Sequence, residues 1–185
     1  MVLAIIILAV VVVLLGIYVG ATYNSLIKGK NSVEEAFSTM DVYLKKRWDL
    51  IPNIVSSVKA YAKHEAETLE KVIAARNGGY AKLNTQEKLE ANAELSSAIR
   101  SINIVAEQYP QLKANENFIE LNSQLKKTEE DIANARKYYN AVVKSFNNKV
   151  EMFPSSIIAA IFRFDKKQMF VVDDETERSA VKVEF

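Results

Sequence analysis

Residues 118–150 read FIELNSQLKKTEEDIANARKYYNAVVKSFNNKV. Phe118, Leu121, Leu125, Ile132, Ala135, Tyr139, Val142, Phe146 and Val150 recur there in steps of three and four, interrupted only at Thr128. At about 3.6 residues per turn this is a single apolar stripe some nine turns long. Polar and charged residues fill the remaining positions, so the stretch predicts a long amphipathic helix that must bury one side against partners. Five Gly and three Pro in 185 residues leave the rest of the chain equally free to form long helices.

Working back from this helix, Asn115 reads as its cap, and a short link separates it from Pro110, which ends the preceding helix. That helix opens at Thr85-Gln-Glu-Lys88 with Asn84 or Thr85 as cap. Its stripe is Leu89, Leu95, Ile99, Ile102, Ala106 and Tyr109. Before it, the chain from Leu26 shows the same periodicity: Leu26, Val33, Phe37, Met40, Leu44, Trp48, Ile51, Val55, Val58, Ala62, Leu69 and Val72. The phase survives across Pro52, which favours one helix kinked there. A corner between two helices, capped by Asp49 or Asn53, is the alternative. Asn77-Gly78-Gly79 supplies the stop, and Tyr80 to Asn84 reads as a loop.

Toward the other end, Phe153-Pro154 closes the long helix and Ser155 to Phe162 reads as a short one begun by Ser155 or Ser156. Met169 to Val172 is apolar, Asp173 to Glu177 is an acidic and solvated stretch, and Ala180 to Phe185 alternates apolar with polar. The alternation fits either an extended segment docked on a groove or a disordered tail.

Met1 to Ile27 contains no charged side chain, and Met1 to Val19 is almost wholly aliphatic. A helix rising about 1.5 Å per residue needs about 20 such residues to cross the hydrocarbon core, with Tyr18 and Tyr23 at the interface. A cleaved signal peptide with Val19-Gly20-Ala21 as its cleavage site is the competing reading. The missing basic n-region and the length of the apolar stretch favour a retained anchor. Lys28 and Lys30 follow the span with no lysine or arginine before it, which leans the soluble part to the cytoplasmic side of the membrane. The amphipathic phase starts near Leu26, so span and first bundle helix are expected to form one nearly continuous rod. The expected fold class is all-α: an N-terminal transmembrane helix (residues 1–22), an elongated antiparallel bundle of three to four helices with coiled-coil-like packing (23–165), and a C-terminal tail (166–185).

With 24 basic and 23 acidic side chains the chain lacks the basic excess of a nucleic-acid binder. The absence of Cys excludes disulfides, thiolate metal sites and thiol catalysis. His64 is the only histidine, and Thr68 stands where a His-Glu-x-x-His zinc helix needs its second ligand, so His64 reads as a surface residue. Glu129, Glu130 and Asp131 read as a solvated face with Lys126, Lys127 and Arg136. No cofactor, metal or catalytic residue is expected. The densest polar cluster is Lys45-Lys46-Arg47-Trp48-Asp49. Either its basic residues meet anionic lipid headgroups, or Arg47 and Asp49 cross-link neighbouring helices while Trp48 packs inside.

These residues also carry a family resemblance. Tyr23-Asn-Ser-Leu26, Lys46-Arg-Trp-Asp-Leu-Ile-Pro-Asn-Ile-Val55, Val58-Lys-Ala-Tyr-Ala-Lys-His-Glu65, Ala106-Glu-Gln-Tyr-Pro-Gln-Leu-Lys-Ala114, Phe118 and Arg136-Lys-Tyr-Tyr-Asn140 occur in order. The chain resembles the LemA family of bacterial membrane-anchored proteins over Tyr23 to Phe164. It departs at Phe37, where many members have Trp, and in a tail without a proline often found there. Other members resemble lipoproteins through a Cys after the apolar segment, which this chain lacks. The resemblance implies a helical bundle behind an anchor, no established enzymatic activity, and a role in membrane organisation. Lys46, Arg47, Trp48, Asp49, Pro52, Tyr109, Pro110, Arg136, Tyr139 and Asn140 are the candidate structural or interaction residues. The expected partners are the lipid bilayer and further copies of the chain. A regulatory adaptor for a membrane protease, sensor or secretion component is the alternative, and an enzyme of unknown type the third reading.

Overall fold

The computed structural model describes residues 1–62, 65–74 and 79–170. Its elements in chain order are α1 (Val2–Tyr61), α2 (Ala66–Ala74), a single 3-10 turn (Tyr80–Lys82), α3 (Thr85–Gln108), α4 (Pro110–Lys113), α5 (Glu116–Glu151) and α6 (Ser155–Ile161). Among the described residues there is no strand. The readings placed on His64, on Asn77-Gly78 and on the acidic and alternating parts of the tail lie outside the described residues.

α1 is one helix of 60 residues with Pro52 inside it, so span and first bundle helix are continuous. It stops at Tyr61, however, and the expected single helix from Leu26 to Asn77 is replaced by two. The Glu65 amide bonds the Ala62 carbonyl at 3.2 Å before helical bonding resumes in α2. The reason lies further on, where the Tyr80 hydroxyl meets Asp41. Asp41 lies 20 residues before Tyr61, or about 30 Å along a helix, and the chain must reverse to cover that distance. Ala62, Leu69 and Val72 are buried on both sides of the corner, so periodicity alone did not reveal it.

The described chain forms two compact units, and both α1 and α5 contribute to each. One comprises Met1–Ser38 with Arg136–Met169. Here α1 and α5 run antiparallel. Lys149 bonds Ser25 at 3.0 Å, the Phe146 ring lies over Gly29, and Tyr139 meets Phe37 with ring centroids 6.0 Å apart. A Cβ on Gly29 would stand 3.0 Å from the Phe146 ring, so the bare backbone sets how closely α5 approaches. After α6 the chain runs back along α5. The Asn147 amide group exchanges two 2.8 Å bonds with the Lys167 backbone, and Tyr139 donates to the Gln168 carbonyl at 2.9 Å. α6 begins at Ser155 as expected, but Pro154 occupies the cap position without a side-chain cap bond.

The other unit comprises Thr39–Ala135 together with Phe170. α3 runs parallel to α1, as the pairs Asp41–Lys88, Arg47–Asn92 and Glu65–Tyr109 show. α5 returns antiparallel, from Asn115 beside Tyr61 to Glu129 beside Arg47. α2 packs on α3. Asn84 and Glu87 form a reciprocal capping box at the start of α3, and Asn115 accepts from the Phe118 amide at 3.0 Å to cap α5. Met40, Leu44, Ile51, Val58, Leu95, Ile102, Leu112, Phe118, Leu125 and Ile132 make the core.

The stripe of α5 differs from expectation at four points, two of them Leu121 and Val150, which are half-buried rather than buried. Val143 rather than Val142 is buried. Thr128, the apparent interruption, is itself buried, because its hydroxyl bonds the Gln124 carbonyl one turn back at 2.8 Å.

Candidate functional site

The one charged side chain buried among the described residues is Arg47, at 1% exposure. It sits on α1 between Leu44 and Ile51 and points into the bundle, where a bare guanidinium would be costly. Its Nη1 donates to Glu129 Oε1 of α5 at 2.6 Å and to Ser96 Oγ of α3 at 2.9 Å. Nη2 donates to the Asn92 carbonyl at 2.8 Å and also meets Asn92 Oδ1. Ser96 bonds the Asn92 carbonyl in turn, at 3.2 Å. One planar cation thus ties three helices at one level, which a lysine could not do with the same geometry. Nε is buried without a hydrogen-bond partner.

The next residue, Trp48, packs on the Tyr80 ring at 5.4 Å between centroids. The Tyr80 hydroxyl donates to Asp41 Oδ1, Lys88 reaches Asp41 Oδ2 at 2.7 Å, and its ammonium lies 4.8 Å from the Tyr80 ring centroid. Burial, followed by the bond to the Asp41 carboxylate, raises the Tyr80 hydroxyl well above the usual tyrosine range. This network pins the 3-10 turn between α2 and α3 against the middle of α1.

The structure brings Arg47 and Trp48 into this polar and aromatic centre and separates the other candidates from it. Lys46 is exposed. Asp49 pairs with Lys45 on the exposed side of α1, so it does not cross-link helices. Arg47, being buried, does not reach lipid headgroups. Pro52 is half-buried one turn on. Tyr109 contacts Glu65 at 3.4 Å at the end of α3, and Pro110 opens α4. Arg136, Tyr139 and Asn140 belong to the other unit, where burial raises the Tyr139 hydroxyl above its usual range.

Glu129 corrects the solvated-face reading: with 39% of its side chain exposed, it is the counter-ion of Arg47. Asp41, Tyr80, Lys88, Asn92 and Ser96 were not singled out from the sequence. The usable signal was Asn92 and Ser96, two polar residues one turn apart between Leu89 and Ile99 on a helix that otherwise buries apolar side chains there.

The remaining feature is the start of α1. Among the described residues one helix is long and apolar enough to cross a membrane, and it is α1. Val2 to Ile17 carry large exposed aliphatic side chains with no packing partner.

Against known proteins, the model of the LemA family matches residues 36–185. Over 144 residues, 77% of this chain, the sequence is 26% identical to Protein LemA of Metamycoplasma hominis. The match spans 65% of that protein's length.

Proposed function

The chain belongs to the LemA family, and on that premise we propose that it is a single-pass, membrane-anchored structural protein without catalytic activity. Its bundle associates with further copies of itself at the bilayer of a bacterial inner membrane. The observation that carries this reading is α1. It runs without a break from an exposed, charge-free segment into a buried core that starts at Leu26. A helix satisfies its own backbone hydrogen bonds in lipid, so the exposed aliphatic surface from Val2 to Ile17 is what a bilayer would cover. Lys28 and Lys30 support a cytoplasmic side for the bundle under the positive-inside rule.

Two further observations support a structural role. The buried polar groups around Arg47 bond to one another and to backbone, and so hold helices together. Val42, Ile104, Ile119 and Tyr138 are exposed on helices that are otherwise polar outside. Confinement to a membrane plane raises local concentration, so weak contacts of this kind suffice for assembly.

The test is carbonate extraction of membranes followed by cross-linking in intact cells. The full chain is expected to stay in the pellet and a variant lacking residues 2–21 to leave it, while cross-links join copies of the chain. Full extraction of the intact chain would refute the anchor. A stoichiometric foreign partner with no self-cross-link would replace the scaffold with an adaptor.

A further inference from the structure

α6 is apolar on both sides. Ile158 and Ala159 face the core, while Ile157 and Ile161, one turn apart, are exposed on the opposite side. Met152 and Phe153 in the turn before α6 are also exposed, Phe153 to 80%, and Phe162 after it is half-exposed. A short surface helix that is apolar on its outer side as well as its inner one beyond Ser155 and Ser156 calls for a cover.

The position of α6 identifies that cover. α5 descends along α1 toward the start of the chain, with Lys149 bonded to Ser25. α5 ends two residues on, at Glu151, about 3 Å lower. Ser155 lies in one groove with Tyr18, Ala21 and Thr22. Phe162 and Phe164 then pack on Tyr23, one ring tilted and one edge-on, at 4.7 and 5.9 Å between centroids. The charge-free stretch Met1–Ile27 is 27 residues long, and the hydrocarbon core takes about 20 of them. The polar side chains of Thr22, Asn24 and Ser25 follow directly on Ala21, so the aliphatic part of the stretch ends there. The turn and the start of α6 therefore stand beside the span at the depth where hydrocarbon gives way to headgroups. In sequence the segment is bracketed by mixed charges, Glu151 paired with Lys166 at 2.8 Å on one side and the exposed Arg163 and Asp165 on the other, so apolar burial rather than charge carries the contact.

We propose that the α5–α6 turn and the outer face of α6 form a second membrane contact, a wedge seated in the lipid interface against the emerging α1. Met152, Phe153, Ile157 and Ile161 enter the acyl boundary. The proposal rests on the anchor reading above. It adds that the bundle is held to the bilayer at two points, which fixes the rotation of α1 about its axis.

The chain has no Cys, so single cysteines can be introduced into the full-length protein at exposed positions. Leu8→Cys, Phe153→Cys, Ile161→Cys and Tyr138→Cys would each carry a nitrobenzoxadiazole label. The reconstituted vesicles would contain phosphatidylcholine and phosphatidylglycerol, with or without acyl-chain spin-labelled lipid. Tyr138 adjoins Tyr139, which meets Phe37 some 14 residues, or about 21 Å, beyond Tyr23 along α1. Labels at 8, 153 and 161 are expected to lose most of their emission to the spin-labelled lipid, and the label at 138 only to aqueous iodide. If the label at 8 is quenched by lipid while those at 153 and 161 respond to iodide, the wedge is overturned and the anchor stands. If the label at 8 is not quenched by lipid, the anchor fails and takes the wedge with it. Labels at 153 and 161 shielded from both quenchers would mean a protein cover, which also overturns the lipid contact.

Discussion

Glu129→Gln should destabilise the protein more than Arg47→Met, although Arg47 is the buried member of the pair and Glu129 the exposed one. The asymmetry follows from what each change leaves behind. Glu129→Gln keeps side-chain shape and an acceptor for Nη1, but it leaves a guanidinium at 1% exposure with no counter-charge. Breaking a buried pair from one side typically costs about 3–5 kcal/mol. The carboxylate is 39% exposed, so solvent screening lowers the estimate to about 2–4 kcal/mol. Arg47→Met removes the charge and the buried, unpartnered Nε together while keeping most of the packed stem. The carboxylate left behind can turn to water. Apolar replacement of a buried ion is often nearly neutral, so about 0–1.5 kcal/mol is expected.

Thermal unfolding of the full chain in detergent, followed by circular dichroism at 222 nm, reads the difference. One kcal/mol moves the midpoint of a chain this size by about 2–4 °C. Glu129→Gln should therefore lower it by roughly 5–15 °C and Arg47→Met by less than about 5 °C. The double variant should resemble Arg47→Met alone, because the orphaned charge is gone. A larger loss for Arg47→Met than for Glu129→Gln would refute the reasoning and mean that the hydrogen bonds to Ser96 and Asn92, rather than charge pairing, carry the junction.

Tyr80 gives a pH dependence. Its folded pKa lies above the unfolded value of about 10, so its neutral form contributes stability in full below about pH 10 and loses it as pH rises toward the folded value. Tyr80→Phe should therefore flatten the decline in midpoint above pH 10; an unchanged slope would show that other groups cause it. At Gly29, Leu should cost about 1–3 kcal/mol by pressing on the Phe146 ring, and Phe146→Ala in the same chain should recover part of that loss. Simple addition of the two penalties in thermal melts would deny the contact. Asp49→Asn breaks only the exposed pair with Lys45, so a midpoint change within about 0.5 kcal/mol is expected. A large fall would assign Asp49 a role that its position does not show.

The helices were legible because their partners lie along one stripe each: Leu26 to Val58 on α1 and Phe118 to Phe146 on α5 are buried much as their spacing requires. The separation of α1 from α2 was not legible, for a physical reason. The chain between them contains neither Gly nor Pro, and Ala62, Leu69 and Val72 keep the phase because both helices face the same core. What enforces the reversal is the tie between Tyr80 and Asp41, 39 residues apart, and no local pattern encodes it. Glu129 was misread for a similar reason. Among Lys126, Lys127 and Glu130 it looks like one more surface charge, and only the arrival of α1 makes it a partner.

Arg47 and Gly29 show how one helix serves two purposes. A continuous α1 could rotate or slide against α5 if apolar packing were all that held it, because a stripe of Leu, Val and Met is tolerant of register. Gly29 admits the Phe146 ring at one position only, and Arg47 reaches Glu129, Ser96 and Asn92 at one level only. Each device fixes register within its own unit. Since α1 begins in the exposed apolar segment and runs on past Gly29, register fixed at Gly29 is register passed to the anchor proposed above. On the scaffold reading proposed above, that property matters more than a pocket. A change that loosens register, such as Glu129→Gln, should disturb assembly at temperatures where the helices themselves remain intact.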